Sequence, residues 1–210
     1  MGDVSTRRLF QLHAGLLLFG VSIALMVRAR LGLDSWDVLH QGIARRTGLP
    51  MGWVINGVAV LVLLAWWPLR QRPGYGTVAN VVLVGFAAQA AMAVLPTAQA
   101  MAVRWPLLVA AIALNAVATG LYVGAGLGPG PRDGIMTGLA ARGHSIRVVR
   151  TAIELAVLAA GWLLGGSVGP GTLLYAIAIG PLAHHLIPAF TVTEGATSAT
   201  PQRHRLQHPS

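Results

Sequence analysis

An all-α, polytopic membrane protein is the fold class this sequence predicts, with about six transmembrane helices in two inverted three-helix repeats. Three observations predict it. Hydrophobic residues fill 55% of the 210 positions and charged residues only 10%, whereas a soluble domain carries about 25% charged residues. The apolar residues gather into runs of roughly 20, the length that crosses a bilayer as a helix. The second half of the chain also matches the first. A mean hydropathy of +0.66 excludes a soluble globular domain, a disordered chain and a DNA-binding domain with a basic surface. The formal charge of +9 comes from 15 arginines, with no lysine. They lie between the apolar runs, so they read as topology signals, and no nucleic-acid partner is expected. There is no cysteine, which removes disulfides, thiolate nucleophiles and Cys-based metal sites.

The elements follow in order. Residues 1–8 form a cytoplasmic N-terminus, and Leu9 to Val27 is the first span, interrupted only by Gln11, His13 and Ser22. Thr6-Arg7-Arg8 ahead of it has the look of a twin-arginine export signal; we read it as a first helix with its positive residues inside. Ser35 to Arg46 is a short amphipathic helix, and Met51 to Leu69 and Tyr75 to Leu95 are the second and third spans. Residues 96–104 are a linker. The second repeat, residues 105–190, holds spans at about 105–125, 146–164 and 171–190, with a short helix at Pro131 to Arg142 after the first of them. The tail, 191–210, rich in Ser, Thr, Pro, Gln and His, is expected to be disordered.

The repeat is legible directly. Shifted by 96 residues, Val21–Arg46 lies over Val117–Arg142 with ten identities in 26 positions, among them Gly32/Gly128, Asp37/Asp133, Gly42/Gly138 and Arg46/Arg142. Shifted by 95, Trp67 meets Trp162, and Gly76-Thr77 meets Gly171-Thr172. The short helices rise only ~18 Å, too little to cross, so each half crosses three times and the second half is inverted. Such inverted repeats are a recurring plan of secondary transporters. Ten arginines fall on the side that carries both termini and five on the other, which places both termini in the cytoplasm.

Chemistry points to the two breaks, Leu31-Gly32-Leu33-Asp34-Ser35-Trp36-Asp37 and Gly126-Leu127-Gly128-Pro129-Gly130-Pro131-Arg132-Asp133-Gly134. Glycine and proline at this density interrupt a helix and free backbone groups that lipid cannot satisfy. Gly32, Gly128, Gly130 and Gly134 form the motif backbone. Ser35, Trp36, Asp37, Arg132 and Asp133 are the candidate substrate- or ion-binding side chains. Two readings stay open: interfacial turns with Asp37 and Asp133 capping surface helices, or breaks that dip inward from opposite faces to a shared midplane site. Helix N-termini would then aim their dipoles at that site.

Glu154 is the further candidate, because a carboxylate inside a span costs roughly 2.5–3.5 kcal/mol. It is either the partner of Arg150, one turn earlier, or an ion-coupling group. Gly76-Thr77 and Gly171-Thr172 open the third and sixth spans as packing positions, unless their hydroxyls line a path to the breaks. Asn56, Asn80, Gln89 and Asn115 are expected to make interhelical hydrogen bonds. The neighbours His184 and His185 point to different sides of a helix, which is poor metal-ligand geometry. No metal, cofactor or enzyme motif occurs.

Gly32-Leu33-Asp34-Ser35-Trp36-Asp37-Val38-Leu39, Gly128-Pro129-Gly130-Pro131-Arg132-Asp133-Gly134-Ile135-Met136, Gly76-Thr77 with Asn80, and Gly171-Thr172 with Gly180-Pro181 resemble the YczE/YyaS/YitT type of bacterial multi-pass membrane protein over roughly residues 8–190. The resemblance implies an integral protein of the bacterial envelope and brings no substrate with it. The expected function is a small transporter-like protein of the cytoplasmic membrane. Asp37 and Asp133 would bind a cation or couple to protons, and Arg132 would meet an anionic group of an unknown small-molecule or ionic substrate. Its other partners are the lipid bilayer and, at this size, a second copy as a homodimer. The alternative is a non-transporting accessory protein that supports a biosynthetic or secretion partner. An aspartyl hydrolase built on the two aspartates lacks the flanking sequence it would need.

Overall fold

A computed structural model describes residues 6–143 and 145–192, and all regular structure among them is helical. The helices are α1 (Thr6–Ala29), α2 (Ser35–Thr47), α3 (Met51–Leu64), α4 (Trp66–Leu69), α5 (Tyr75–Val94), α6 (Met101–Gly124), α7 (Pro131–Ala140), α8 (Ile146–Leu163) and α9 (Pro170–Phe190). The expected disordered tail lies outside the described residues from position 193 onward. Thr191 and Val192 are placed, and the Val192 amide donates to the Gly124 carbonyl at 3.1 Å.

Five stretches are long and apolar enough to cross a membrane: Thr6–Ala29, Met51–Leu69, Tyr75–Val94, Met101–Gly124 and Pro170–Phe190. The expected fifth span in chain order is α8. It forms as a helix of 18 residues but carries Arg147, Arg150 and Glu154, so its composition falls short of the other five. The expected second span is interrupted at Ala65, which separates α3 from α4. Helix α6 starts at Met101 rather than near 105 and carries Pro106 inside it, where the missing proline N–H forgoes the bond to the Ala102 carbonyl.

The core lies between α1 and α6, the two helices with the most extensive mutual packing. Leu12, Leu16, Ala24 and Ala29 from α1 and Leu108, Ala111, Ala116 and Ala118 from α6 are wholly buried. Helix α5 packs on α1, and α9 on α6. Short helix α2 lies against α8, while α7 lies against α3 and α4. The expected polar bonds between spans are present for Asn56, Gln89 and Asn115, whereas Asn80 makes none among the described residues and lines a cavity instead. Asn115 donates to the Ser22 hydroxyl at 2.8 Å and accepts from the Tyr175 hydroxyl at 2.9 Å. Asn56 donates to the Val82 carbonyl and accepts from the Gly85 amide, and Gln89 accepts from the Gly52 amide.

The two breaks are held by matching bonds. The Gly171 amide donates to the Leu31 carbonyl at 2.7 Å, and the Gly76 amide donates to the Leu127 carbonyl at 2.8 Å. Each break is thus anchored on the first turn of the last long helix of the other half. The backbone there is crowded and left-handed: Gly32 has φ 111° and Gly128 φ 125°. A Cβ on Gly32 would come within 2.6 Å of the Thr172 hydroxyl oxygen, and one on Gly128 within 3.0 Å of that of Thr77. Thr77 and Thr172 are both buried, and each accepts from the amide three residues earlier, Gly74 and Gly169, at 3.2 Å. The Thr77 hydroxyl also donates to the Pro129 carbonyl at 2.7 Å. Packing accounts for these threonines, and Thr172 lines a cavity as well.

Candidate functional site

Helices α2 and α7 begin where the breaks end. Asp34 is the N-cap of α2, its Oδ1 accepting from the Asp37 amide at 2.7 Å. A side-chain oxygen at this position satisfies one of the four N–H groups that a helix start leaves open. The cap is therefore Asp34 rather than the expected Asp37. Helix α7 has Gly130 at its N-cap, with no side-chain cap bond, and Pro131 next, where the missing proline N–H costs nothing. Asp133 does not cap either; its Oδ2 accepts from the Tyr122 hydroxyl at 3.0 Å. The start of α7 is fixed from the side by the Trp66 indole, which donates to the Pro131 carbonyl at 2.9 Å. Gly134 gives that ring room, since a Cβ there would fall 1.9 Å from it.

The starts of the two helices meet. The Arg132 guanidinium lies 5.0 Å from the centre of the Trp36 ring, within cation–π range. It also stands 3.9 Å from Asp34 Oδ2 and 3.9 Å from Asp37 Oδ1. These separations exceed hydrogen-bond reach, so Arg132 holds both carboxylates by charge. Asp37 is wholly buried, and its Oδ1 pairs with His40 Nδ1 at 3.0 Å. Two carboxylates thus face one guanidinium. Two buried polar atoms here have no hydrogen-bond partner among the described residues, Asp37 Oδ2 and Trp36 Nε1. Leaving such a group unmade costs about 1–3 kcal/mol, which makes an unpaired acceptor and donor informative about function.

Beside the meeting point lies a cavity of about 680 Å³, within the range of small-molecule sites. Asp34, Trp36, Tyr122, Arg132, Asp133 and Tyr175 contribute to its wall. Ser35, the first residue of α2, lines it too, as do Gly130, His184 and the pair Arg150–Glu154. Glu154 accepts from Arg150 Nε at 2.9 Å, with about a third of its side chain exposed, as the spacing predicts for an ion pair. Asp37 and Asp133 do not share a partner: the first goes to His40, the second to Tyr122. Their connection runs through the starts of α2 and α7. Among the described residues, no three His, Asp or Glu side chains are arranged to hold a metal ion.

Asp34, His40, Tyr122 and Tyr175 were not among the expected site residues. Asp34 and His40 sit three residues before and after Asp37, the spacing of a cap and of a helical neighbour, so a signal existed for both. Nothing local marks the tyrosines, which arrive from the long helices α6 and α9.

A protein-family model described as a family of unknown function (DUF6198) matches residues 6–188. The chain is 38% identical over 171 residues to an uncharacterized protein of Haemophilus influenzae, covering 81% of this chain and 78% of that one. It is 34% identical over 179 residues to the uncharacterized membrane protein YczE of Bacillus subtilis, covering 83% of each. No solved structure matches.

Proposed function

The chain belongs to the DUF6198 family of unknown function, as a membrane protein, and from that premise we propose that it is a transporter-like protein whose site lies where α2 and α7 meet. One observation carries the reading: Arg132 stacks on Trp36. These two residues are 96 apart, the shift that superposes the halves of the sequence. When equivalent positions of a duplicated chain touch, the contact lies at the pseudo-two-fold axis that relates them. The matching bonds from Gly171 to Leu31 and from Gly76 to Leu127 agree with such an axis. An axis in the membrane plane, relating halves of opposite orientation, brings two helix starts together from opposite faces at mid-depth. Inverted-repeat transporters place their substrate there.

In this reading Asp37 and Asp133 take up a cation or protons, and Arg132, freed from its carboxylates, meets an anionic group of the substrate. Both termini are cytoplasmic, the membrane is the bacterial cytoplasmic membrane, and no reaction is catalysed. A second copy completes the assembly. The rival is an accessory protein that moves nothing.

The test uses protein reconstituted into lipid vesicles. Solutes are screened by thermal stabilisation of the purified protein, and each hit is then tested for counterflow, the exchange of labelled for unlabelled solute across the vesicle membrane. A hit that exchanges, and stops exchanging in Arg132→Gln and in Asp37→Asn while both variants stay helical and monodisperse, supports transport. Hits that bind without exchanging would give the function to the accessory reading.

A further inference from the structure

A second cavity, about 390 Å³, lies apart from the first and has a different character. Its wall carries Arg28, Arg30, Arg45 and Arg104 and no carboxylate. None of the four is in ion-pair contact with an acid among the described residues: Asp34 and Asp37 stand with Arg132, Glu154 pairs with Arg150, and Asp133 bonds to Tyr122. We propose that this cavity is a binding site for a phosphate group, carried either by a lipid headgroup or by a soluble phosphate.

The arginines come from separate parts of the chain. Arg28 is in the last turn of α1 and Arg45 in the last turn of α2. Arg30 lies in the link between them with φ 54°, a left-handed conformation that costs an L-residue roughly 1–2 kcal/mol. Arg104 is near the start of α6. Three of them are oriented by neutral acceptors. Arg28 donates to the Met92 carbonyl and, at 2.9 Å, to the Thr97 hydroxyl. Arg104 donates to the Ala29 and Arg30 carbonyls, and Arg45 to the Gly165 carbonyl and the Ser167 hydroxyl. These bonds fix the side chains without neutralising them. The buried Arg28 Nε has no hydrogen-bond partner among the described residues. Four like charges around one cavity repel one another, and an anion among them would relieve that repulsion. The planar guanidinium matches phosphate oxygens in paired hydrogen bonds, and Gln41, Thr97 and Ser167 add polar groups to the wall.

The topology under the proposed function, on which this point rests, raises the same question. In the orientation with both termini cytoplasmic, these arginines occupy the outer side, where the positive-inside bias does not call for them. An anion held at that end of the bundle supplies the reason.

The experiment uses the full chain purified in a neutral detergent. In one arm, equimolar phosphatidylglycerol and phosphatidylcholine are added and retained lipid is weighed by native mass spectrometry. In the other, inorganic phosphate is titrated against sodium chloride of equal ionic strength while the unfolding midpoint is followed. Retention of phosphatidylglycerol over phosphatidylcholine assigns a lipid headgroup. Stabilisation by phosphate without lipid preference assigns a soluble anion. Either effect is expected to weaken about tenfold or more in the Arg30→Gln/Arg45→Gln double variant. It should be retained by Arg72→Gln, an exposed arginine outside the cavity. Should the double variant fail to fold, Arg30→Gln alone serves, since the Arg30 side chain makes no hydrogen bond among the described residues. Absence of both effects in the wild type, or an equal loss in Arg72→Gln, overturns the site.

Discussion

Replacing Gly32 or Gly128 by alanine tests whether the two breaks are built alike. Each residue holds a left-handed backbone, φ 111° and 125°, which costs an L-residue roughly 1–2 kcal/mol. Each also faces the other half of the chain. The new Cβ of Gly32→Ala meets Thr172 Oγ1 at 2.6 Å and the Gly169 amide nitrogen at 2.7 Å. That of Gly128→Ala meets Gly74 Cα and Thr77 Oγ1, both at 3.0 Å. Overpacking of this kind costs about 1–3 kcal/mol. The sum is about 2–5 kcal/mol, with Gly32→Ala toward the upper end because backbone stands closer there. For a chain of this length each kcal/mol moves the unfolding midpoint by about 2–4 °C, so a fall of about 10 °C is expected. The assay is thermal unfolding in detergent, read by intrinsic tryptophan fluorescence. Gly57→Ala is the control: it lies within α3, with nothing within 4 Å of a Cβ, and helix propensity predicts a small gain of about 0.5–1 kcal/mol. A Gly32→Ala protein that melts with Gly57→Ala would refute the argument that this break is pressed against α9.

Two further experiments probe the surroundings of the site. Trp66→Phe removes both the hydrogen bond to the Pro131 carbonyl and the outer ring atoms that fill the space over Gly134; a loss of about 2–4 kcal/mol, read as a midpoint lower by about 4–16 °C, is expected. Asn115→Ala combined with Tyr175→Phe in a double-mutant cycle should give a coupling of only about 0.6–1.7 kcal/mol, although the bond is 2.9 Å long, because polar groups find substitute partners in a membrane-bound unfolded state.

Much of this architecture could be read from residue order. Apolar runs located the long helices to within a few residues, since bilayer thickness sets their length. Gly32 and Gly128 marked the breaks because only glycine enters that backbone region easily. Paired amides such as Asn56 and Gln89 were legible because a polar group in a span needs a partner. Three features were hidden. The stacking of Arg132 on Trp36 joins residues 96 positions apart, and no local period encodes which two turns of a bundle meet. The capping of α2 by Asp34 rather than Asp37 depends on where the helix begins, and a shift of three residues exchanges a cap for a buried acid. The interruption at Ala65 has a visible cause in Pro68, which cannot donate to the Leu64 carbonyl, but that it aims Trp66 at α7 is not announced by the run Met51–Leu69.

The central claim is that α2 and α7 enter from opposite faces of the membrane and meet in its interior. Single cysteines in the natural Cys-free background test it most directly, at Leu49 just beyond α2 and at Ser145 just beyond α7, both exposed. Each variant is labelled in intact cells and in inverted membrane vesicles with a membrane-impermeant thiol reagent. Leu49→Cys should react in intact cells and Ser145→Cys only in inverted vesicles. Reaction of both from the same face would contradict it.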